Sequence, residues 1–362
     1  MTSFLGPIGT AVPTFDYGQM DLFAAMQQRL PLARKQEKAL RGLYKHSGIN
    51  TRYSVLPDFK EDNADPLLYG RNQDFPPLSE RMACYLEQVL PLALQAVKDT
   101  GEPVDDLTHL IAVSCTGLAA PGLDLMLLKA LNLPAHVHRT CVHYMGCYAA
   151  LHALKQADAI CRADPDSRVL VVCVELCTLH FQQDTSWDHL TSSLLFADGA
   201  AAVVVSGTAA LPRLALKSFY SEVALEGWDE MAWHPDEKGF LMRLGRGVPF
   251  MLQESAEPLL QNALARHGHP TDIAEWAIHP GGRLILDLLI KTLNLPENAF
   301  WASRQVLANY GNMSSPTVLF VLQAIQEKLL KTRSAATDVF AAAFGPGLTM
   351  ETALLRWNTE GL

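Results

Sequence analysis

The stretch MGCYAALHALKQADAICR (residues 145–162) is the clearest indication of the fold class, because a small-residue loop in it runs directly into an amphipathic helix. The apolar positions of this helix recur with the period of one α-helix face: Leu151, Leu154, Ala157 and Cys161. Short apolar and β-branched runs around it predict buried strands at residues 110–114, 168–175 and 200–206. Strands and helices in this order are typical of an α/β fold.

The second half of the chain repeats this order around GNMSSPTVLFVLQAIQEK (residues 311–328). A helix is predicted there at residues 316–328, with one face formed by Leu319, Leu322 and Ile325. The strands predicted around it are residues 275–279, 338–344 and 350–356. The pattern therefore indicates that one α/β unit occurs twice.

The spacing of four residues supports this duplication. Ser114 and Cys147 are 33 residues apart, and so are His279 and Asn312. We predict a layered αβαβα architecture with two sheets of mainly parallel strands, and helices between and outside them. Small residues and a proline near 207–212 place the boundary between the two predicted halves: residues 1–207 and 208–362.

The composition argues against several classes of function. The net charge of −9 gives no broad attraction to nucleic acid or to an anionic membrane. No apolar run approaches the roughly 20 residues of a membrane helix, and the amino-terminal stretch MTSFLGPIGT does not resemble a signal peptide. We therefore expect no nucleic-acid partner and no membrane insertion.

The seven cysteines lie mostly in apolar stretches, which is typical of reduced thiols in a cytoplasmic protein. They form no CxxC pair, so we predict no metal site. The sequence also lacks a GxGxxG loop after a strand, so we predict no redox cofactor.

Three residues at the equivalent loops of the two halves are candidates for catalysis. Cys147 opens the first predicted helix after Gly146, and a helix N-terminus favours the ionised form of a thiol. His279 ends a predicted strand, and Asn312 precedes the second helix. Singly, each also fits a structural role as a buried cysteine, a core histidine or a helix cap. Together, around a pseudo-twofold axis, they suit acyl transfer through a thioester and a stabilised oxyanion.

Five stretches spread over nearly the whole chain are HRTCVHYMGCYAA (138–150), LLFADGAAAVVV (194–205), AIHPGG (277–282), YGNMSS (310–315) and FGPGLTMET (344–352). They resemble the hallmark motifs of the type III polyketide synthases, the chalcone-synthase-like enzymes, and the bacterial members offer the nearest analogy. The resemblance implies a homodimer of thiolase fold that uses malonyl-CoA and an acyl-CoA starter without a cofactor. It also implies that Cys147 is the nucleophile, and that His279 and Asn312 bind the thioester oxygen and the enolate from malonyl-CoA.

The resemblance further implies the lining of a substrate cavity. Phe196 matches a gatekeeper phenylalanine between a CoA tunnel and the cavity, and Met242 stands where plant enzymes have a second one. The other positions differ from the plant enzymes: Cys115, Cys177 and His180 replace threonines, Trp233 replaces a glycine, and Ala120 replaces a methionine that crosses the dimer. These departures leave the catalytic assignment intact and argue against a chalcone or stilbene product.

A basic stripe is the candidate CoA site. Arg34, Lys38, Arg41 and Lys45 recur at helical spacing and so share one face of a predicted helix. The family's basic CoA contacts fall in this segment, which makes Lys38, Arg41 and Lys45 the candidates for binding CoA phosphates. A solvated helix face explains the same pattern.

The combined hypothesis is a type III polyketide synthase that condenses malonyl-CoA iteratively and cyclises the product to a pyrone, a resorcinol or a related aromatic polyketide. Three alternatives stay open at this point. They are a single-round β-ketoacyl synthase of the fatty-acid-priming type, a non-catalytic partner subunit of the same fold, and a thioester hydrolase. The presence of Cys147, His279 and Asn312 together argues against the non-catalytic subunit.

Overall fold

The computed structural model describes residues 2–60, 63, 65–70, 74–208, 213–228, 231–244, 248–268 and 273–359. The strands in these ranges are β1 (Ser3–Leu5), β2 (Gly9–Ala11), β3 (Phe15–Gly18), β4 (Thr51–Ser54), β5 (His109–Val113), β6 (His138–Val142), β7 (Arg168–Leu176), β8 (Asp198–Ser206), β9 (Arg213–Val223), β10 (Met231–Asp236), β11 (Gly239–Leu244), β12 (Ile273–Ile278), β13 (Thr337–Gly345) and β14 (Thr349–Asn358). The helices are α1 (Gln19–Arg29), α2 (Arg34–His46), α3 (Leu78–Asp99), α4 (Leu123–Ala130), α5 (Ala149–Ala163), α6 (Trp187–Leu195), α7 (Val248–Arg266), α8 (Arg283–Thr292), α9 (Trp301–Tyr310) and α10 (Thr317–Lys331). None of the helices in these ranges combines the length and apolarity needed to cross a membrane.

The same order of strand pairing occurs in both halves of the chain. In the first half, β5 pairs with β7 in parallel, β7 pairs with β8 antiparallel, and β8 pairs with β1 antiparallel. In the second half, β12, β13, β14 and β9 follow the same pattern of one parallel and two antiparallel pairings. The repeated pairing confirms the duplication that the sequence spacing predicts.

Two details of the predicted sheets are wrong. Within the described residues, β1 pairs with both β8 and β9, so hydrogen bonds join the strands of the two halves into one ten-stranded mixed sheet instead of two sheets. The pairing is also less parallel than predicted, because β7–β8 and β13–β14 are antiparallel. β13 and β14 are joined by the short turn Pro346–Leu348, and parallel strands need a much longer crossover connection.

The two helices that contain the duplicated motif lie in the middle of the protein. α5 contacts β7, β8 and β14, α10 contacts β12, β13 and β8, and the two helices contact each other. α3 packs on β2, β7 and β8. The consecutive apolar residues VLFVL (318–322) of α10 are all buried, which a helix with strands on one side alone does not require. Each such side chain contributes about 1.5–3 kcal/mol when it leaves water, so the central position of α10 is consistent with its sequence.

The boundary predicted near 207–212 falls largely outside the described residues, which exclude 209–212. The division into residues 1–207 and 208–362 therefore stays a prediction. Strands from both halves share one apolar core around α5 and α10, with Leu151, Leu154 and Leu322 fully buried in it.

Candidate active site

The Cys147 thiol lies at the entrance of α5, in the short 3₁₀ turn Gly146–Tyr148. Gly146 has a φ of +74°, and a Cβ there would lie 2.5 Å from Pro346 Cδ, so glycine is required on both counts. The Cys147 side chain is buried, with its Sγ 3.8 Å from Ser314 Oγ and 4.0 Å from Asn312 Nδ2. The turn therefore presents the thiol to the loop that precedes α10.

His279 follows β12 directly, and its backbone N–H donates to Ala342 O at 2.8 Å. The side chain is 2% exposed, and neither ring nitrogen has a hydrogen-bond partner within the described residues. Burial lowers the pKa of His279 to about 3, so the imidazole is neutral at physiological pH. An unpartnered buried imidazole in a cavity wall indicates a ligand-binding group rather than a satisfied core histidine.

Asn312 is attached to both neighbouring segments through its backbone. Its N–H donates to Leu195 O and its carbonyl accepts from Ala197 N–H, each at 2.9 Å. Its Oδ1 accepts the Ser314 N–H at 2.8 Å and lies 3.9 Å from Cys147 Sγ, and its Nδ2 group lies 4.0 Å from the same sulfur. Pro316 rather than Asn312 is the residue that flanks α10, so the helix-cap interpretation of Asn312 is wrong.

The structure brings Cys147, His279 and Asn312 to one cavity of about 600 Å³, as the duplication predicts. Four of the predicted lining positions also face this cavity and a smaller chamber of about 60 Å³ beside it: Phe196, Cys177, Trp233 and Met242. Cys115 lines the larger cavity. Trp233 and Met242 are opposite each other on the β10–β11 hairpin, and Trp233 Nε1 donates to Cys115 O at 2.9 Å. This hydrogen bond joins the hairpin to the loop after β5.

Two predicted lining residues, His180 and Ala120, do not face the larger cavity of their own chain. His180 faces the smaller chamber and not the larger cavity. Its Nδ1 accepts the Phe240 N–H at 3.0 Å and its Nε2 lies 2.8 Å from Thr116 O, so its ring connects the hairpin to the sheet. Burial lowers the pKa of His180 to about 3, which keeps the ring neutral. Ala120 is exposed and lines neither cavity of its own chain, and its position at a cavity of the partner subunit stays a prediction.

The Cys147 thiol is protonated at physiological pH, contrary to the expectation from the helix N-terminus. Burial raises the pKa of Cys147 to about 11, and the nearby Glu175 acts in the same direction, whereas Ser314 and Asn312 oppose it. Burial outweighs the helix end because water is excluded from the thiol. The resting pair is therefore a neutral thiol and a neutral imidazole.

The sequence analysis did not single out Glu175, which is fully buried beside the site. Its carboxyl group accepts hydrogen bonds from Ser315 Oγ at 2.7 Å, Thr116 Oγ1 at 2.8 Å and Cys115 N–H at 2.9 Å. Burial raises the pKa of Glu175 to about 7, although these donors lower it. A lone glutamate at the end of an otherwise apolar predicted strand was the available signal.

The mouth of the large cavity is formed by α2 and α8. The lining residues from these helices include Ala39, Gly42, Leu43 and His46 of α2 and Arg283 and Leu284 of α8. Lys38, Arg41 and Lys45 are exposed on α2 but are not part of the lining, so they flank the mouth from an adjacent side of the helix. Arg283 is a basic residue at the mouth that the sequence analysis missed. Its position four residues after His279 was the available signal.

A buried cysteine, histidine and asparagine around one apolar cavity define a condensing enzyme of the thiolase-like fold. Two family models match most of the chain: the N-terminal domain of chalcone and stilbene synthases at residues 4–209 and the C-terminal domain at residues 219–358. The chain belongs to this family, the type III polyketide synthases, which are acyltransferases that catalyse decarboxylative Claisen condensation.

Individual relatives agree with this membership. The chain is 32% identical over 339 residues to type III polyketide synthase A of Arabidopsis thaliana, covering 90% of this chain and 85% of the relative. It is 28% identical over 367 residues to probable polyketide synthase 1 of Dictyostelium discoideum, and there it spans 98% of this chain but 11% of that much longer protein. The crystal structure of PKS-I from the brown alga Ectocarpus siliculosus superposes with a TM-score of 0.91 at 28% identity, covering 99% and 98% of the two chains.

Proposed function

We propose that the protein builds a polyketide by repeated condensation of malonyl-CoA onto an acyl starter held as a thioester on Cys147. The observation that carries this proposal is the pair of His279 and Asn312 opposite the thiol. Among the residues that the structure describes, the His279 ring nitrogens have no hydrogen-bond partner, and the Asn312 Nδ2 group lies 4.0 Å from Cys147 Sγ. Hydrogen-bond donors placed around a reacting thioester stabilise the charge that develops on its oxygen.

Loading of the starter begins at Cys147. The neutral imidazole of His279 accepts the thiol proton as the sulfur attacks the thioester carbonyl of the starter. The carbon–sulfur bond to CoA breaks, the proton passes to the departing CoA thiolate, and the acyl group stays on Cys147. Neutral His279 suits this step because a protonated imidazole could not take the proton.

Extension uses the same two hydrogen-bonding groups. Malonyl-CoA loses CO2, and the electron pair of the broken bond forms an enolate whose oxygen is bound by His279 and Asn312. The enolate carbon attacks the thioester carbonyl on Cys147, so a carbon–carbon bond forms and the Cys147 sulfur leaves. The product is a β-ketoacyl-CoA that can reload Cys147 for another round, and its later cyclisation gives a pyrone, a resorcinol or a related aromatic ring.

For the starter, we favour an acyl-CoA whose acyl group is an alkyl chain. The cavity wall is mainly apolar, and the flexible Met242 and the small Cys177 separate it from the chamber lined by Leu22, Met26 and Phe59. A phenolic starter would need a polar partner for its hydroxyl group, whereas an alkyl chain needs apolar surface alone. Trp233 opposes this interpretation because its ring occupies the same wall.

We also propose that the protein is a homodimer. β6 is the edge strand of the sheet and pairs with β5 on one side, and four of its five residues, His138–Cys141, are exposed. An exposed edge strand is a template for pairing with another chain, and a twofold axis allows a second copy to pair with it antiparallel.

The decisive experiment is incubation of the purified protein with malonyl-CoA and acetyl-, dodecanoyl-, hexadecanoyl- or p-coumaroyl-CoA, followed by product masses. Products that contain two or more malonyl-derived units support the proposal. One added unit indicates a single-round synthase, free acid without a new carbon–carbon bond indicates a hydrolase, and no turnover indicates a non-catalytic subunit. Cys147→Ala is the control, because it removes both the acyl-enzyme and the product.

A further inference from the structure

The end of α6 and the loop that carries Asn312 form one hydrogen-bonded unit. α6 ends at Leu195, whose carbonyl accepts the Asn312 N–H, and Ala197 N–H donates back to Asn312 O. Phe196, between these two residues, forms a parallel bridge with Asn312. A displacement of the α6 end therefore moves the gatekeeper candidate and the amide that faces Cys147 together.

Arg52, on β4, binds the carbonyl groups at this helix end. Its Nη1 donates to Ser193 O and to Phe196 O, each at 2.7 Å. Its Nε donates to Gln19 Oε1 at 2.9 Å, and Gln19 Nε2 in turn donates to Leu194 O at 2.9 Å. The last carbonyls of a helix have no partner inside the helix and form the negative end of its dipole, so a cation there is stabilising.

The stem of Arg52 contacts the other part of the same unit. Gly311, directly before Asn312, is so close that a Cβ there would lie 2.8 Å from Arg52 Cγ and 2.9 Å from Arg52 Cδ. Arg52 is 5% exposed, and its direct hydrogen-bond partners are neutral oxygens. A buried cation is costly unless its donors are satisfied, so the guanidinium and the carbonyls that it binds constrain each other.

We propose that Arg52 is a positioning residue that holds Asn312 opposite Cys147 and Phe196 at the cavity wall through the end of α6. The proposal rests on the condensation proposed above. The planar guanidinium presents donors in several fixed directions, whereas the single ammonium of a lysine cannot reach Gln19, Ser193 and Phe196 in the same way. Replacement of Arg52 by lysine should therefore disturb the reaction more than the fold.

The test compares Arg52→Lys with Arg29→Lys in the full-length protein. Arg29 is also buried and donates to the carbonyls of Ala25, Tyr69 and Asp58, which lie outside α6 and outside the loop that carries Asn312. We expect Arg52→Lys to lower the turnover number for malonyl-CoA decarboxylation by about 10-fold or more, with KM and the rate of Cys147 acylation changed by less than about 3-fold. Arg29→Lys should lower Tm by a similar amount but leave the ratio of the decarboxylation rate to the Cys147 acylation rate unchanged.

A double-mutant cycle separates positioning from general destabilisation. If Arg52 acts through Asn312, Arg52→Lys should reduce decarboxylation by less than about 2-fold in an Asn312→Ala background, because the amide that Arg52 positions is already missing. Gln19→Met is a second variant for the case that Arg52→Lys folds poorly. It removes the hydrogen-bond partner of both Arg52 and Leu194 and should have the same effect on decarboxylation.

Two outcomes overturn the role of Arg52 while leaving the proposed function standing. One is an equal loss of decarboxylation in Arg52→Lys and Arg29→Lys, and the other is a full multiplicative effect in the Asn312→Ala background. A wild-type protein that never decarboxylates malonyl-CoA would instead contradict the proposed function, and the role of Arg52 with it.

Discussion

The side-chain oxygen of Asn312 accepts the backbone N–H of Ser314 at 2.8 Å, and this bond orients the amide. The oriented amide lies beside Cys147 Sγ, with Oδ1 at 3.9 Å and Nδ2 at 4.0 Å from the sulfur. The motif YGNMSS therefore does more than supply an asparagine, because its own backbone fixes the orientation of the amide beside the thiol.

Removal of this donor should affect decarboxylation most. Asn312→Ala is expected to lower malonyl-CoA decarboxylation by about 100- to 1,000-fold, the usual loss for one oxyanion donor. Acylation of Cys147 should fall less, because the His279 ring remains, and mass spectrometry of the intact protein measures it. The surface variant Asn298→Ala serves as the control. Equal losses in both half-reactions would contradict this division of roles.

The reactivity of Cys147 should depend on pH in a defined direction. Burial raises the pKa of Cys147 to about 11, so the side chain is mostly protonated below that pH. The thiolate fraction should therefore rise about tenfold per pH unit at lower pH. Alkylation of Cys147 by iodoacetamide, followed by peptide mass spectrometry, should therefore accelerate steadily from about pH 7 to about pH 9. A rate that is constant over this range would show instead that Cys147 and His279 form an ion pair before substrate binds.

The preference for the starter should follow the length of its alkyl chain. Each buried methylene contributes about 0.8 kcal/mol, so kcat/KM for dodecanoyl-CoA should greatly exceed that for acetyl-CoA or p-coumaroyl-CoA. Met242→Phe should reduce this preference, because the larger side chain narrows the space between the cavity and the small chamber. Met20→Phe, at an exposed position of α1, should leave the preference unchanged. A wild-type ratio near or below one would argue against a long alkyl site, and Trp233 would be the first residue to replace.

CoA binding should depend on the charges around the mouth of the cavity. Arg283→Ala should raise KM for malonyl-CoA several-fold with little change in kcat, because a phosphate contact far from the reacting atoms contributes equally to substrate and transition state. A triple replacement of Lys38, Arg41 and Lys45 by alanine tests the exposed face of α2 in the same assay. Lys98→Ala, on α3, is the control, and an unchanged KM in both variants would place CoA elsewhere.

Glu175 should make the folded state less stable as pH rises. Burial raises the pKa of this carboxyl group from 4.5 to about 7, so the folded protein binds the proton more tightly than the unfolded chain does. This contribution to stability is fully present below about pH 4.5 and is lost as pH rises through about 7, by roughly 3 kcal/mol at most. Chemical denaturation of the wild type and Glu175→Gln across this range measures it. The fall should be smaller in the variant, and identical curves would contradict the prediction.

The sequence alone determined the duplication, the fold class and the three residues that meet in the cavity. The equal spacing of Ser114–Cys147 and His279–Asn312 placed these residues on equivalent loops, and local patterns located the strands and helices around them. Such features follow from periodicity and from short-range motifs. The family motifs added the expectation of CoA thioester substrates, which no spacing rule provides.

The tertiary structure decided how those elements combine. β1 joins the two halves into one sheet, and antiparallel pairing depends on connection lengths and partners that are distant in sequence. The protonated state of Cys147 is also a tertiary property, because it depends on how many groups exclude water from the thiol. The same holds for Arg52, because only the fold brings its guanidinium to the end of α6, where it binds carbonyl groups that a helix leaves without partners.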